Sequence, residues 1–336
     1  MKKIKKPAIC VLGDGGWGTT LAVLLSRKGF PVSLWGAFED YAGILEKTRV
    51  NKKFLPGIRI PREVEITSDP ERALLGKDLV VVAVPSEYLR KVMIRIKGGC
   101  YPRHAAYLSV TKGIEIGSLK RMSEVIRDEL SVSRVAVLSG PTIAQEVARG
   151  VPTAAVVACA DKKLRNFLQD IFMMERFRVY TNDDVIGVEL GGSLKNVIAI
   201  ACGVSDGLGF GTNTKAALLS RGLAEISRLG QAMGAKAKTF SGISGLGDLV
   251  TTCISQQSRN RFVGEQIGKG KALKQIQSHM QMVAEGVPTA KSALDLSRRY
   301  NVEMPIVREV YNLLYKNKNP LRAVKDLMTR RKKQEC

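Results

Sequence analysis

Lys195 stands where a lysine is out of place. It interrupts Gly191-Gly192-Ser193-Leu194-Lys195-Asn196-Val197-Ile198-Ala199, a small and apolar run that reads as a buried helix. Lysine is almost never buried without a partner, and Asp248 or Glu189 could supply one. A protonated lysine held in this way can stabilise and protonate the alkoxide formed when hydride reaches a ketone carbon. The plainer alternative is a lysine that snorkels along its helix. Other polar residues break the local pattern at strand ends or helix starts. Lys112-Gly113 follows the apolar run Ala105–Val110, and Gly140-Pro141-Thr142 follows Val135–Leu138 and opens a helix. Asp248 and Ser258-Arg259-Asn260-Arg261 add a carboxylate, a hydroxyl and cations in the second half. The two histidines, His104 and His279, lie in polar, surface-like contexts and are not expected to act as acid or base.

A hydride donor has its own signature near the start. Ala8-Ile9-Cys10-Val11-Leu12 runs into Gly13-Asp14-Gly15-Gly16-Trp17-Gly18, and a small-residue helix pattern follows. That order predicts a strand, a tight turn and a helix whose N-terminus receives a pyrophosphate. Gly13 permits the turn, Gly15 lets the backbone approach the phosphates, and Gly18 lets helix and strand pack closely. Glu39 lies 21 residues beyond Gly18, near the position of an acid that holds a ribose 2′-hydroxyl, with Asp40 a competitor. No arginine lies between Leu34 and Asp40 to receive a 2′-phosphate, so NAD is favoured slightly over NADP. Asp14 is discordant, because a carboxylate in this turn should repel the pyrophosphate unless it points to solvent.

The elements that must position these residues fall into two halves. Val-rich runs such as Leu79–Val84 alternate with helical segments up to Tyr180, the pattern of a parallel sheet buried on both faces. From about Asp184 the strand pattern stops and helices follow, with Thr214, Ser258 and Asn319 as caps. The expected fold is α/β: a doubly wound Rossmann-type domain over residues 1–183, then an all-α substrate-binding and catalytic domain over 184–336, with the site in the cleft between them. The glycine-rich Ser241–Asp248 stretch reads as a turn cluster.

Composition narrows the class. The chain has 336 residues and a formal net charge of +22, yet dense basic clusters occur only at its two ends. No nucleic-acid-binding motif accompanies them, and the charge is expected to attract anionic small molecules. Apolar runs are too short to span a bilayer, and the start lacks the apolar stretch of a secretory signal. The six cysteines have no metal-type spacing, so reduced thiols, no metal site and a cytoplasmic setting are expected. Two competing classes remain: a β-hydroxyacid dehydrogenase, and a non-catalytic nicotinamide sensor or membrane-surface protein.

Taken in order, Gly-x-Gly-Gly-Trp-Gly-Thr-Thr-Leu-Ala, Phe54-Leu55-Pro56-Gly57, Lys112-Gly113-Ile114, Ser139-Gly140-Pro141-Thr142, Gly192-Ser193-Leu194-Lys195-Asn196, Ser258-Arg259-Asn260-Arg261 and Val283-x-Glu285-Gly286 resemble NAD(P)-dependent glycerol-3-phosphate dehydrogenases. The likeness runs from about residue 8 to 327. It implies reversible reduction of dihydroxyacetone phosphate to sn-glycerol 3-phosphate, supplying glycerophospholipid synthesis, by a homodimer. It makes Lys195 the proton donor and acceptor, with Lys112 and Asp248 beside the substrate. Gly140, Thr142, Ser258, Arg259 and Asn260 would hold the substrate, Arg259 and Asn260 on its phosphate. The turn glycines Gly13, Gly15, Gly16 and Gly18, with Trp17, Ala37, Glu39, Phe54, Lys112, Ala144, Arg259, Val283 and Glu285, would line the cofactor site. Three residues depart from the pattern. Gly16 replaces a usual serine, Asp14 a usual small residue, and Ala37 a basic residue that bacterial members often carry near the adenosine ribose.

Overall fold

The computed structural model describes residues 6–280, 282–332 and 334–335, so Lys2, Lys3, Lys5 and Lys333 of the terminal basic clusters lie outside the described residues. Eight apolar runs form strands: β1 (Ile9–Leu12), β2 (Val32–Trp35), β3 (Glu65–Thr67), β4 (Leu79–Val82), β5 (Ala106–Ser109), β6 (Val135–Ser139), β7 (Thr153–Ala158) and β8 (Phe177–Asn182). They make one sheet in the order β3-β2-β1-β4-β5-β6-β7-β8. Successive residues of a strand point to opposite faces, so Ile9 and Val11 enter one core while Cys10 and Leu12 enter another. Both faces of β1 are therefore covered, which is why its run is continuously apolar.

The strand order reverses between β1 and β4. Leu12 pairs with Trp35 on one side and Val82 on the other, so these strands end level at the crevice where open α/β sheets bind ligands. β6 and β7 depart from the parallel pattern and pair antiparallel. Parallel neighbours need a crossover that returns the chain across the sheet. Between β6 and β7 the only helix is the five-residue Ala144–Ala148.

The chain divides into two compact units. One holds the residues up to Lys112 together with Lys120–Glu189; the other holds Gly113–Leu119 and the chain from Leu190 onward. The second is helical, and its central helix, Val185–Gly207, begins within the first unit. That helix is long and apolar enough to cross a membrane, contrary to the sequence expectation, but 89% of its apolar window is buried in protein. Its partner is the helix Arg259–Gly268, which it meets backbone to backbone. A Cβ on Gly203 would lie 1.9 Å from the Arg261 carbonyl oxygen, and one on Gly264 2.0 Å from that of Ile200. Thr214 is not a cap, since its helix starts earlier, at Thr212, with Gly211 before it. The Ser241–Asp248 stretch is more than a turn cluster: Ile243–Gly247 forms a π-helical turn that runs directly into the helix Asp248–Ile254. Its glycines permit close packing, because a Cβ on Gly245 would lie 2.1 Å from the Phe240 carbonyl oxygen.

One buried carboxylate also serves the helical unit. Glu225 accepts the Ile306 and Val307 N–H groups at 2.8 and 3.2 Å, at the start of the helix Pro305–Tyr315. Burial pushes its carboxyl up to about 7, against the opposing pull of these two donors.

Two stability predictions follow from this packing. Gly264→Ala should destabilise the protein by about 1–3 kcal/mol, whereas Gly43→Ala, in a helix with open space around it, should be neutral or stabilising. Urea denaturation of both variants checks the contrast. For Glu225, the folded chain keeps a proton that the unfolded chain releases near 4.5. Its contribution is whole below that pH and is lost as pH rises through about 7. The stability of Glu225→Gln relative to wild type should therefore improve between pH 5 and pH 8; an unchanged difference would contradict the assignment.

Candidate active site

In the first unit the glycine turn is built by close approaches. Gly13 has φ +114°, and a side chain there would lie 2.7 Å from the Ala83 carbonyl oxygen at the end of β4. A Cβ on Gly18 would come within 1.9 Å of the Gly13 carbonyl oxygen, so helix and strand touch there. Gly16 is crowded as well, with the Phe54 carbonyl oxygen 2.6 Å from where its Cβ would be. A serine in the usual place would force that loop aside. Gly15 alone among the four faces open space, and its conformation is ordinary for any residue. Among the described residues nothing demands a glycine there. The helix Gly16–Arg27 starts beside it with no side-chain cap, leaving its first N–H groups to an anion.

Polar side chains hold the turn. Asn51 donates to the Asp14 carbonyl oxygen and to Thr19 Oγ1 at 2.7 and 2.8 Å, and accepts from Tyr41 Oη at 2.7 Å. Asn51 Oδ1 also accepts the Phe54 N–H at 3.0 Å, and the Phe54 ring meets Tyr41 edge-on. Thr20 Oγ1 donates to the Ala144 carbonyl oxygen at 3.1 Å, which brings Ala144 to the same helix. The Trp17 ring packs against Phe177 at the edge of the core, its buried Nε1 without a hydrogen-bond partner among the described residues. Ala37 and Glu39 are exposed, and Glu39 heads the helix Glu39–Thr48. The carboxylate against the end of β2 is instead that of Asp14. Its buried Oδ2 faces Gly36, and burial raises its pKa while its own N–H and Lys53 oppose the rise. Farther along the sheet, Lys112 Nζ donates to the Gly140 carbonyl oxygen at 2.9 Å, and Thr142 Oγ1 donates to the same oxygen at 3.1 Å.

In the second unit Lys195 is 5% exposed and ion-paired with Asp248, itself 1% exposed. Its ammonium also donates to Thr252 Oγ1 at 2.6 Å, so it does not snorkel out to solvent. Glu189, the other candidate partner, belongs to Arg121 and accepts from Ser123 N–H and Oγ at 2.9 and 2.7 Å. Ser258 Oγ caps the helix Arg259–Gly268. Arg259 is exposed and spends one N–H on the Val283 carbonyl oxygen at 2.8 Å. Asn260 Oδ1 accepts the Gly286 N–H at 2.8 Å, next to Glu285. Sequence reasoning missed Thr252, Asn51 and Arg121. Only Thr252 left a signal, lying one helical turn beyond Asp248.

A mononucleotide-type switch point carrying an uncapped glycine turn, in a chain that also buries a charged lysine–aspartate pair, defines a dinucleotide-dependent oxidoreductase. The chain belongs to the NAD-dependent glycerol-3-phosphate dehydrogenase family. The model for the N-terminal part of that family matches residues 8–165, and the model for its C-terminal part matches residues 184–325. The glycerol-3-phosphate dehydrogenase [NAD(P)+] of Prosthecochloris aestuarii is 52% identical over 330 residues, covering 97% of this chain and 99% of its own. That of Thermoanaerobacter sp. is 50% identical over 327 residues, covering 97% of this chain and 98% of its own. The crystal structure of glycerol-3-phosphate dehydrogenase from Coxiella burnetii superposes with a TM-score of 0.93 at 39% identity, covering 97% of this chain and 99% of that one.

The contrast between the glycines is testable. Gly15→Ala should leave thermal stability near wild type while weakening dinucleotide binding by roughly tenfold or more, about 1.4 kcal/mol. Calorimetric titration with NADH, beside a melting curve, would show whether the open face at Gly15 belongs to the ligand.

Proposed function

We propose that the chain catalyses the reversible NAD(P)H-dependent reduction of dihydroxyacetone phosphate to sn-glycerol 3-phosphate. The observation that carries this reading is the buried Lys195–Asp248 pair, joined by the partly buried Thr252, in a chain that also holds a pyrophosphate-ready turn. The nicotinamide, when bound, supplies or accepts the hydride at the substrate's central carbon. Lys195 gives its proton to the carbonyl oxygen as that oxygen gains negative charge, and takes it back in the reverse direction. Asp248 and Thr252 hold the ammonium in place and keep it charged where water is excluded. Such a pair must stay intact, since removing one partner leaves an uncompensated buried charge.

The substrate phosphate falls to Arg259 and Asn260. Arg259 retains donors beyond the one spent on Val283, in a planar fork suited to phosphate. Asn260 commits Oδ1 to Gly286, so Nδ2 is the atom that can serve a phosphate. Lys112 and Thr142 share the Gly140 carbonyl and order the loop on the substrate side, while Ser258 starts the phosphate-facing helix. On the cofactor, Phe54 and Ala144 flank the glycine turn, and Val283 and Glu285 lie on the segment held by Arg259 and Asn260. The same reading makes the chain a cytoplasmic homodimer that serves glycerophospholipid synthesis, with no nucleic-acid partner and at most weak peripheral membrane contact through its basic ends.

Absorbance at the reduced-nicotinamide band with dihydroxyacetone phosphate, run in parallel with NADH and NADPH, tests the reaction directly. Ketone-dependent oxidation is expected; folded protein that turns over neither cofactor would refute it. Lys195→Ala should lower kcat by roughly 10²-fold or more while NADH still binds. Near-normal turnover in that variant would remove Lys195 from the chemistry.

A further inference from the structure

The end of β2 is where a Rossmann sheet reads the adenosine ribose, by an acid that accepts from the 2′-hydroxyl or a cation that receives a 2′-phosphate. Here the residues just past β2 are Gly36, Ala37 and Phe38, with no charged group among them. Glu39 and Asp40 follow only in the next helix, exposed to solvent. A carboxylate is nevertheless present at the end of β2, and it comes from the neighbouring strand. Gly13 N–H donates to the Trp35 carbonyl oxygen at 2.9 Å, which pins the first turn to the last residue of β2. The next residue, Asp14, then lies directly over Gly36. A Cβ on Gly36 would be 2.5 Å from Asp14 Oδ2 and 3.4 Å from Asp14 Cβ, so a larger residue there would push the carboxylate away.

The side chain is held in this position. Its residue's carbonyl oxygen accepts from Asn51 Nδ2 at 2.7 Å and from Thr19 Oγ1 at 3.1 Å, fixing the backbone on both sides. Oδ2 is buried and has no hydrogen-bond partner among the described residues, an arrangement that costs stability unless a donor arrives. The Asn51 partner Tyr41 and the cation Lys53, which rests over the Tyr41 and Phe54 rings, are the other ionisable groups that act on it. A donor hydroxyl would relieve the desolvated carboxylate, and a second anion would worsen it.

We propose that Asp14 sets the choice of cofactor: its carboxylate does the work of the missing acid past β2, accepting from a free ribose 2′-hydroxyl and repelling a 2′-phosphate. The unusual acid of the glycine turn is thereby a specificity residue, and Gly36 is small to make room for it. The inference deepens the dehydrogenase reading by naming which nicotinamide nucleotide the chain takes, and it rests on that reading only for the site's ligand.

The test is calorimetric titration of the full chain with NADH and with NADPH, without ketone, for wild type, Asp14→Asn, Asp14→Ala and Glu39→Gln, with kcat/KM for each cofactor measured alongside. Wild type should bind NADH at least tenfold more tightly than NADPH. Both Asp14 variants should shift that ratio toward NADPH by tenfold or more, and Glu39→Gln should shift it less. Wild type that binds the two equally would overturn the proposal, whatever the variants do. So would Asp14 variants that keep the wild-type ratio, that lose both cofactors alike, or that shift it less than Glu39→Gln. Because binding is read without substrate, a chain that prefers NADH yet reduces no ketone phosphate would refute the proposed reaction and leave this assignment standing.

Discussion

A lysine inside an apolar helix keeps its charge only if a carboxylate is delivered to it and held, and the helical unit is organised around that delivery. The delivery depends on backbones that touch. A Cβ on Gly191 would sit 2.6 Å from the Ser244 carbonyl oxygen, so the lysine-bearing helix lies directly on the π-helical turn that precedes Asp248. The same helix meets Arg259–Gly268 through Gly203 and Gly264, which sets where Ser258, Arg259 and Asn260 begin their turn. Any side chain at these contacts would move the carboxylate, the cations, or both. The helix can be almost wholly apolar because each of its three charged residues is paired: Glu189 with Arg121, Lys195 with Asp248, and Asp206 with Lys215 and Arg261.

The first unit applies the same constraint to a different end. Gly13 and Gly18 are required by the fold, Gly16 by the Phe54 loop, and Gly15 by nothing among the described residues. The turn thus separates residues that maintain its shape from the one whose surroundings leave space for a side chain. Asn51 secures this arrangement by joining Asp14, Thr19, Tyr41 and Phe54 in one hydrogen-bonded group. Rigidity of this kind positions backbone donors before the anion arrives, which lowers the ordering cost of binding.

Much of this was legible in the residues, and the exceptions share a cause. The strands and the long helices announce themselves through period and continuity of apolar residues, and Lys195 through its contradiction of them. The choice of Asp248 over Glu189 was open, because both lie within reach in sequence terms. Arg121 closed it by claiming Glu189, and an arginine 68 residues away leaves no local trace. Ser241–Asp248 read as turns because glycine marks both turns and close packing, and only a neighbour distinguishes the two. Antiparallel β6 and β7 escaped for a similar reason: a five-residue helix and a longer crossover look alike until the strands pair.

The sequence by itself determined the class of fold, the dinucleotide turn, and the need for a partner at Lys195, since these follow from local periodicity and from the cost of burying charge. It also exposed Asp14 as discordant without saying why. Tertiary structure alone decided which carboxylate meets the lysine, which glycine of the turn faces open space, and that Asp14 lies over the end of β2. Those outcomes depend on distances between segments far apart in the chain, and nothing local encodes such distances.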